Sequence, residues 1–411
     1  MENSYTLYLE INNSDLIFFV GKKEDQESFN NIFTHKIPLV GFENHRISDY
    51  EKVFNLIKEN IFFIEKKFNY TFKEVVLILE NFNLSFVNLS GAKKLNGSQI
   101  LRENITYILN DLKSYVNNYN NQKIVLHIFN SKFILDSKKI ENLPIGLFGD
   151  FYSHELSFIL ISKNDYKNLM EIFDKCNLKI KKILVKSFVK GAYLNDINYK
   201  DGTFFQIKIN GENSKIFYFE NNSLKFEQEF NFGSDIVIQD ISKITSMSKE
   251  ALNLYLSTNE LTNNLDDNDF VDKEYFQDNR FRKIKKKLIY KIMLARIQEI
   301  SELILFKNIN LNYYNKSVKS IFLELNNNIY NINFENIFSS TFSLNKKFKV
   351  EFSKNLSNHK FLDAAYKLVH YGWKKEAIPI SKVKKSILGR FFDALFNWLL
   401  LFLETFVVLI F

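Results

Sequence analysis

Apolar residues fall in short blocks along this chain, and the spacing within each block predicts an element. Residues 5–20 are apolar except at 12–15, which reads as strand, turn, strand. Residues 49–67 carry Val53, Leu56, Ile57, Ile61 and Ile64 at helical spacing. Residues 75–79 form the continuous apolar run of a buried strand. Residues 98–116 read as a helix, and 123–129 and 132–135 as paired strands. A Pro144-Ile145-Gly146-Leu147-Phe148-Gly149 loop follows, then a strand at 156–162, so 86–162 reads as a small α+β insert. A helix at 165–176 and a strand at 180–185 come next.

A second hairpin, 204–209 with 214–219 around Asn210-Gly211, mirrors the one at the start and predicts two α/β halves of one design. Residues 239–258 read as mixed helix and turn. Residues 265–278 are acidic and 280–287 basic. A long helix then runs to about Phe306, with Ile289, Met293, Ile297, Ile300 and Ile304 as its inner stripe. A strand at 320–325 and a helix at 360–372 complete the body.

The end of the chain has a different texture. Residues 387–411 are apolar apart from a few polar positions, of which Arg390, Asp393, Asn397 and Glu404 share one helical face. Phe391, Phe392, Leu395, Trp398, Leu399 and Phe402 lie among the rest. With Lys382, Lys384 and Lys385 before it, this segment predicts a helix lying in a membrane interface and meeting anionic lipids. A spanning helix is the rival, but Asp393 and Glu404 would each cost about 2–3 kcal/mol deep in a bilayer.

Composition adds bounds. A chain of 411 residues exceeds one core, so two or more domains are expected. The net charge of +8 suits an anionic surface without requiring nucleic acid, and no aromatic-rich nucleic-acid module frames the basic run. Cys176 is the only cysteine, so no internal disulfide or cysteine zinc site is expected, and a reducing cytoplasm fits. The polar start, Met1-Glu2-Asn3-Ser4, is not expected to be a signal peptide.

Chemistry-bearing motifs are sparse. GxxxxGK[ST], GxSxG and HExxH are absent from the sequence. The six histidines lack ligand spacing, and His127, in an apolar strand, reads as a satisfied structural residue. Asp266, Asp267 and Asp269 lack the Gly and closing Glu of a calcium loop and read as a solvated acidic loop. The run Arg280, Arg282, Lys283, Lys285, Lys286 and Lys287 reads first as the solvated start of a helix. No catalytic or metal residues are assigned.

Several stretches, taken in order, carry a resemblance. Phe133-Ile134-Leu135-Asp136 and the Pro144 to Gly149 loop look like an inserted subdomain ending in Pro-Leu-Gly-x-x-Gly. Phe232-Gly233-Ser234-Asp235 with Asp240 looks like a Gly-Gly-Asp motif and its following Asp. Asp363-Ala364-Ala365 leads to Tyr371-Gly372, a linker and an apolar helix. In this order the chain resembles the bacterial cell-division family FtsA, of actin-like proteins, along nearly its whole length.

The resemblance implies a two-lobed actin-like α/β fold with an SHS2 insert. Its implied subdomains are 1A (1–85, 163–198 and 345–373), 1C or SHS2 (86–162), 2A (199–232 and 300–344) and 2B (233–299). A basic linker (374–385) and a membrane-anchoring helix (386–411) follow. It also implies a tether at the cytoplasmic face of the bacterial inner membrane, at the division site. The implied partners are the FtsZ C-terminal tail, further copies of the chain in filaments, and other divisome proteins. Of the family's Glu-Pro-Arg on the tail-binding helix, only Arg296 is matched. An actin-like pilus-assembly membrane protein and a divergent actin-like ATPase are the alternatives.

Departures from the family cluster in one pocket. Its phosphate loop Asp-Ile-Gly-Thr-Ser-Lys is here Glu10-Ile11-Asn12-Asn13-Ser14-Asp15. Its second loop becomes Lys208-Ile209-Asn210-Gly211-Glu212-Asn213-Ser214-Lys215. Its adenosine loop becomes Glu324-Leu325-Asn326-Asn327, and its adenine-side Glu and Lys become Leu252 and Tyr255. Asn12, Asn13, Ser14, Gly211, Gly233, Asp235 and Asp240 remain as a remnant. Without the glycines that allow close backbone approach, a pseudo-nucleotide pocket is expected. ATP hydrolysis is not expected, and weak Mg-ATP binding stays open because Asn tolerates left-handed dihedrals.

Overall fold

A computed structural model of the chain describes residues 5–12, 14–23, 28–80, 82–198, 202–261, 264–276, 282–311, 318–326, 332–343, 348–353, 357–373 and 375–377. The first half opens with β1 (Tyr5–Ile11), β2 (Asp15–Lys23) and β3 (Phe29–Pro38). The short β4 (Phe42–Glu43) and β5 (Arg46–Ile47) lead into α1 (Tyr50–Phe68) and β6 (Glu74–Leu79). An inserted block follows: β7 (Ser85–Lys94), α2 (Arg102–Tyr119), β8 (Lys123–Leu135), β9 (Lys138–Ile140) and β10 (Phe151–Ser162). Then come α3 (Lys163–Lys175), β11 (Lys179–Val185) and α4 (Lys186–Asn198). The second half holds β12 (Phe204–Asn210), β13 (Ser214–Glu220), β14 (Ser223–Phe230), α5 (Asp235–Thr245), α6 (Lys249–Thr258) and α7 (Lys286–Ser301). It ends with β15 (Ser320–Asn326), α8 (Ile332–Phe342) and β16 (Lys349–Phe352), and α9 (Asn358–His370) returns to pack on β3 and α4.

The two main sheets have one topology. In the first the order is β3-β2-β1-β6-β11, and in the second β14-β13-β12-β15-β16. Each is an antiparallel meander of three strands whose first strand pairs in parallel with a fourth, and the fourth with a fifth. The two hairpins legible in the sequence are the matching corners of this repeat. The inserted block makes a third sheet, β7-β10-β8-β9, wholly antiparallel, with α2 packed against it.

Local chemistry explains most boundaries. Asp49 caps α1 by accepting the Lys52 N–H at 3.1 Å, and Asn69 ends the helix with φ of 46°. Val53, Ile57, Ile61 and Ile64 form its buried face. β6 is buried from Val75 to Leu79 because strands pack on both of its edges and helices on the sheet. The inner stripe expected of the long helix is buried in the second half's core, but the α-helix stops at Ser301 and Glu302–Phe306 continue as a π turn.

Some expectations are corrected. Residues 123–135 are one strand, not two paired strands, because the polar Asn130-Ser131 step is absorbed as a bulge against β10. The basic run starts the helix only through Lys286 and Lys287: Arg282 and Lys283 precede it, and Lys285, its N-cap, bridges to Phe270. The mixed helix and turn expected at 239–258 is the end of α5, a turn at Ser246 with φ of 60°, and α6. Residues 386–411, with the expected membrane helix, lie outside the described residues, as do Asn13, Arg280 and Asn327. Among the described residues no helix is long and apolar enough to cross a membrane.

A shared apolar core joins the halves. Tyr8, Phe19 and Ile78 of the first half and Phe188 of α4 pack with Phe204, Phe217, Phe219 and Phe322 of the second. A Cβ at Gly191 would lie 2.1 Å from the Phe219 ring, so only glycine lets α4 sit flush on β13. This close seat sets Lys186 and Lys190 over the cleft between the sheets.

Candidate functional site

The cleft lies where the central strands of the two sheets end. On the first side the β1–β2 turn closes on itself. Asn12 Oδ1 accepts the backbone N–H groups of Ser14 at 2.9 Å and Asp15 at 2.7 Å, while Asn12 N donates to Asp15 O at 3.1 Å. This is an Asx turn, and it takes up internally the N–H groups that a phosphate loop presents to an anion. Asp15 also pairs with Lys36 at 3.1 Å.

On the second side Gly211, Gly233 and Asp235 do come together. The N–H groups of Ser234 and Asp235 donate to Asn210 O and Gly211 O, both at 2.9 Å. A Cβ at Gly233 would lie 2.1 Å from Asn210 O, so these glycines serve a turn-on-turn clasp. Glu212 is exposed at its tip. Asp240 stands apart on α5, where Arg296 of α7 reaches it through Nε at 2.5 Å and through Nη2. Arg296 also holds Glu299 at 2.6 Å. Two residues assigned from sequence to different sites therefore engage each other. Leu252 and Tyr255 are buried in the core of the second half.

Charged side chains fill the cleft itself. Lys186 Nζ lies 2.6 Å from both Glu10 Oε1 and Glu80 Oε2. Lys208 reaches Glu80 at 3.1 Å, and Lys190 holds both oxygens of Glu324 at 2.9 and 3.0 Å. Lys215 pairs with Glu229 at 3.1 Å and Glu227 at 3.5 Å. Burial pushes the Glu80 carboxyl up, but Lys186 and Lys208 outweigh it and hold it well below the usual carboxylate range. Burial lowers and Glu80 and Glu10 raise the Lys186 ammonium, and the net shift is upward. Burial dominates at Glu227, whose carboxyl is raised despite Lys215.

The remaining cavity among these groups is about 30 Å³. That is room for one or two waters. With the N–H groups of Asn12, Ser14 and Asp15 engaged in the first loop and each of these lysines paired to carboxylates, the residues do not fit a magnesium triphosphate. Sequence reasoning noted Glu10, Lys208 and Glu324 only as departures, and missed Glu80, Lys186 and Lys190 altogether. The available signal was a lone acid in an apolar strand, as in Leu7-Tyr8-Leu9-Glu10-Ile11, since such a residue must find a partner when buried.

A second cluster joins the inserted block to β14. Lys225 is engaged by Glu155 and Glu220, and Lys132 reaches Glu220 at 2.9 Å. His127, expected to be satisfied, is half so: Nδ1 meets Glu376 at 3.0 Å, and Nε2 has no partner among the described residues.

Comparisons with known proteins fit this architecture. No family model matches the chain. The chain is similar to the type IV pilus biogenesis complex PilM–PilN, with a TM-score of 0.50 at 11% identity, covering 90% of this chain and 99% of that one. The fold is the two-lobed actin-like α/β fold. In sequence it is similar to the cell division protein FtsA of Buchnera aphidicola subsp. Acyrthosiphon pisum (strain APS), 22% identical over 243 residues, 59% of this chain and 57% of that protein. FtsA of Buchnera aphidicola subsp. Baizongia pistaciae (strain Bp) matches at 20% over 236 residues, 57% of this chain and 56% of that protein. The chain is thus a divergent relative of FtsA, matched over a little more than half the length of these relatives.

Proposed function

We propose that this protein acts in bacterial cell division by tethering FtsZ filaments to the cytoplasmic face of the inner membrane. The observation that carries the reading is the pairing of FtsA similarity in the body with the basic linker and apolar segment at 386–411. The segment supplies the anchor through Phe391, Phe392, Leu395, Trp398, Leu399 and Phe402, and the body binds the FtsZ tail. Self-association multiplies a weak anchor into a firm one, since linked copies rebind at high effective concentration. Other divisome proteins join the same assembly. The cleft takes no ATP for hydrolysis, a reading supported by the lost loop glycines and by the four cleft lysines being held by carboxylates.

Arg296 is the proposed contact for acidic groups of the FtsZ tail, which it meets by releasing Asp240 or Glu299. The fold likeness to PilM–PilN favours a second reading, a pilus-assembly membrane protein. Co-sedimentation with anionic liposomes separates the two. FtsZ is expected to pellet with the full chain and not with a chain lacking 386–411. Lipid binding by the full chain without FtsZ would overturn the division reading and favour the second.

A further inference from the structure

We infer that the lysine–glutamate cluster in the cleft holds the two halves closed, as a built-in substitute for a nucleotide and its metal. In a two-lobed cleft, a bound anion with its cation joins the lobes through charge. Here the chain's own side chains make the crossing. Lys208 of β12 meets Glu80, just beyond β6, at 3.1 Å, and Lys190 of α4 clasps Glu324 of β15 through both carboxylate oxygens. Glu10 is 3% exposed and Glu324 4%, so neither charge is hydrated at this junction. Lys186 joins Glu10 to Glu80 and so aligns the first half's side of the seam.

Lys190 and Lys208 thus pair across the seam, while Lys186 pairs with Glu10 and Glu80 on the first half's side and Lys215 with Glu227 and Glu229 on the second's. Each of these four lysines is held by a carboxylate. Buried pairs add little net stability over an apolar core, but they fix one arrangement, because a shift that separates one partner strands the other. The apolar contacts of Tyr8, Phe188, Phe204 and Phe219 beneath the seam favour the same closed arrangement. The Lys225, Glu155, Glu220 and Lys132 cluster repeats the device between the inserted block and β14. Neither FtsZ nor lipid enters this closure.

The test is a distance between the halves. In the full chain carrying Cys176→Ser, dyes are placed at Asn55→Cys on α1 and Lys249→Cys on α6, and energy transfer is measured with and without millimolar Mg-ATP. The expected result is high transfer unchanged by Mg-ATP, a loss of transfer in Lys190→Glu, and recovery in Lys190→Glu/Glu324→Lys. Transfer that rises on adding Mg-ATP would overturn the inference, as would a folded Lys190→Glu chain with unchanged transfer. If Lys190→Glu does not fold, the double variant decides alone. It must fold and match the parent, and failure on either count overturns the inference.

Discussion

His154 lies wholly buried in β10 beside Phe133 and Tyr152, and neither of its ring nitrogens has a hydrogen-bond partner among the described residues. Burial pulls its pKa from 6.5 down to about 4. Between those values the unfolded chain binds more protons than the folded one, so stability falls as pH drops from 6.5 towards 4. The loss reaches about 3 kcal/mol at 1.36 kcal/mol per unit. Thermal unfolding followed from pH 7 to 4 is expected to show this slope, and His154→Leu is expected to flatten it. An unchanged slope in the variant would place the titration elsewhere. Nothing in the sequence marked His154, because it sits in the middle of the polar run Ser153-His154-Glu155 between Tyr152 and Leu156. Glu10 was more legible, as an acid amid apolar neighbours. Its partner Lys186 is 176 positions away, and no local pattern encodes that meeting.

Elements were legible in proportion to how one-sided their burial is. The helix α1 has a cap, an apolar stripe and an Asn stop, and the sequence placed it within a residue or two. The strands β3, β7 and β14 were missed. They lie at sheet edges, where half-buried positions admit Asn, Lys, Thr and Glu and blunt the apolar signal. The helices α4 and α8 were also missed. In α4 the buried Phe188, Val189, Ala192 and Leu194 sit on several sides, so no single stripe appears. The turn at Asn210-Gly211 was legible as a hairpin, but its clasp with Gly233 was not. That clasp gives a prediction for the element. A methyl at position 233 would lie 2.1 Å from Asn210 O and 2.5 Å from Gly211 O, so both turns must move apart. Gly233→Ala is expected to cost about 1–3 kcal/mol, the range for overpacked sites. A lower urea midpoint at unchanged slope would show this. An unchanged midpoint would mean that the turns part freely.

For the whole molecule, the two halves of one design were visible as two hairpins, and the resemblance to FtsA gave the two lobes. The content of the cleft was only partly visible. Lost glycines showed that the phosphate loops are degenerate, while the lysine–glutamate seam that fills the space depends on residues from β1, the position just after β6, α4, β12 and β15 meeting in three dimensions. Degenerate loops alone leave weak nucleotide binding open, whereas a filled, charge-balanced seam argues against it. The difference has a thermodynamic readout. A ligand held only by the folded state at a hundredfold over its dissociation constant stabilises by about 2.7 kcal/mol. For a chain of this size, that gain raises the unfolding midpoint by several degrees (roughly 2 °C per kcal/mol, the low end of the range for large domains). Millimolar Mg-ATP is therefore expected to leave the midpoint of the full chain where it is. Lys186→Ala removes the cation between Glu10 and Glu80, leaving the two carboxylates to repel, and is expected to lower the midpoint with or without nucleotide. A rise of several degrees with Mg-ATP in the parent chain would mean that the seam opens to admit a triphosphate, and the cleft would then be a working nucleotide site despite its altered loops.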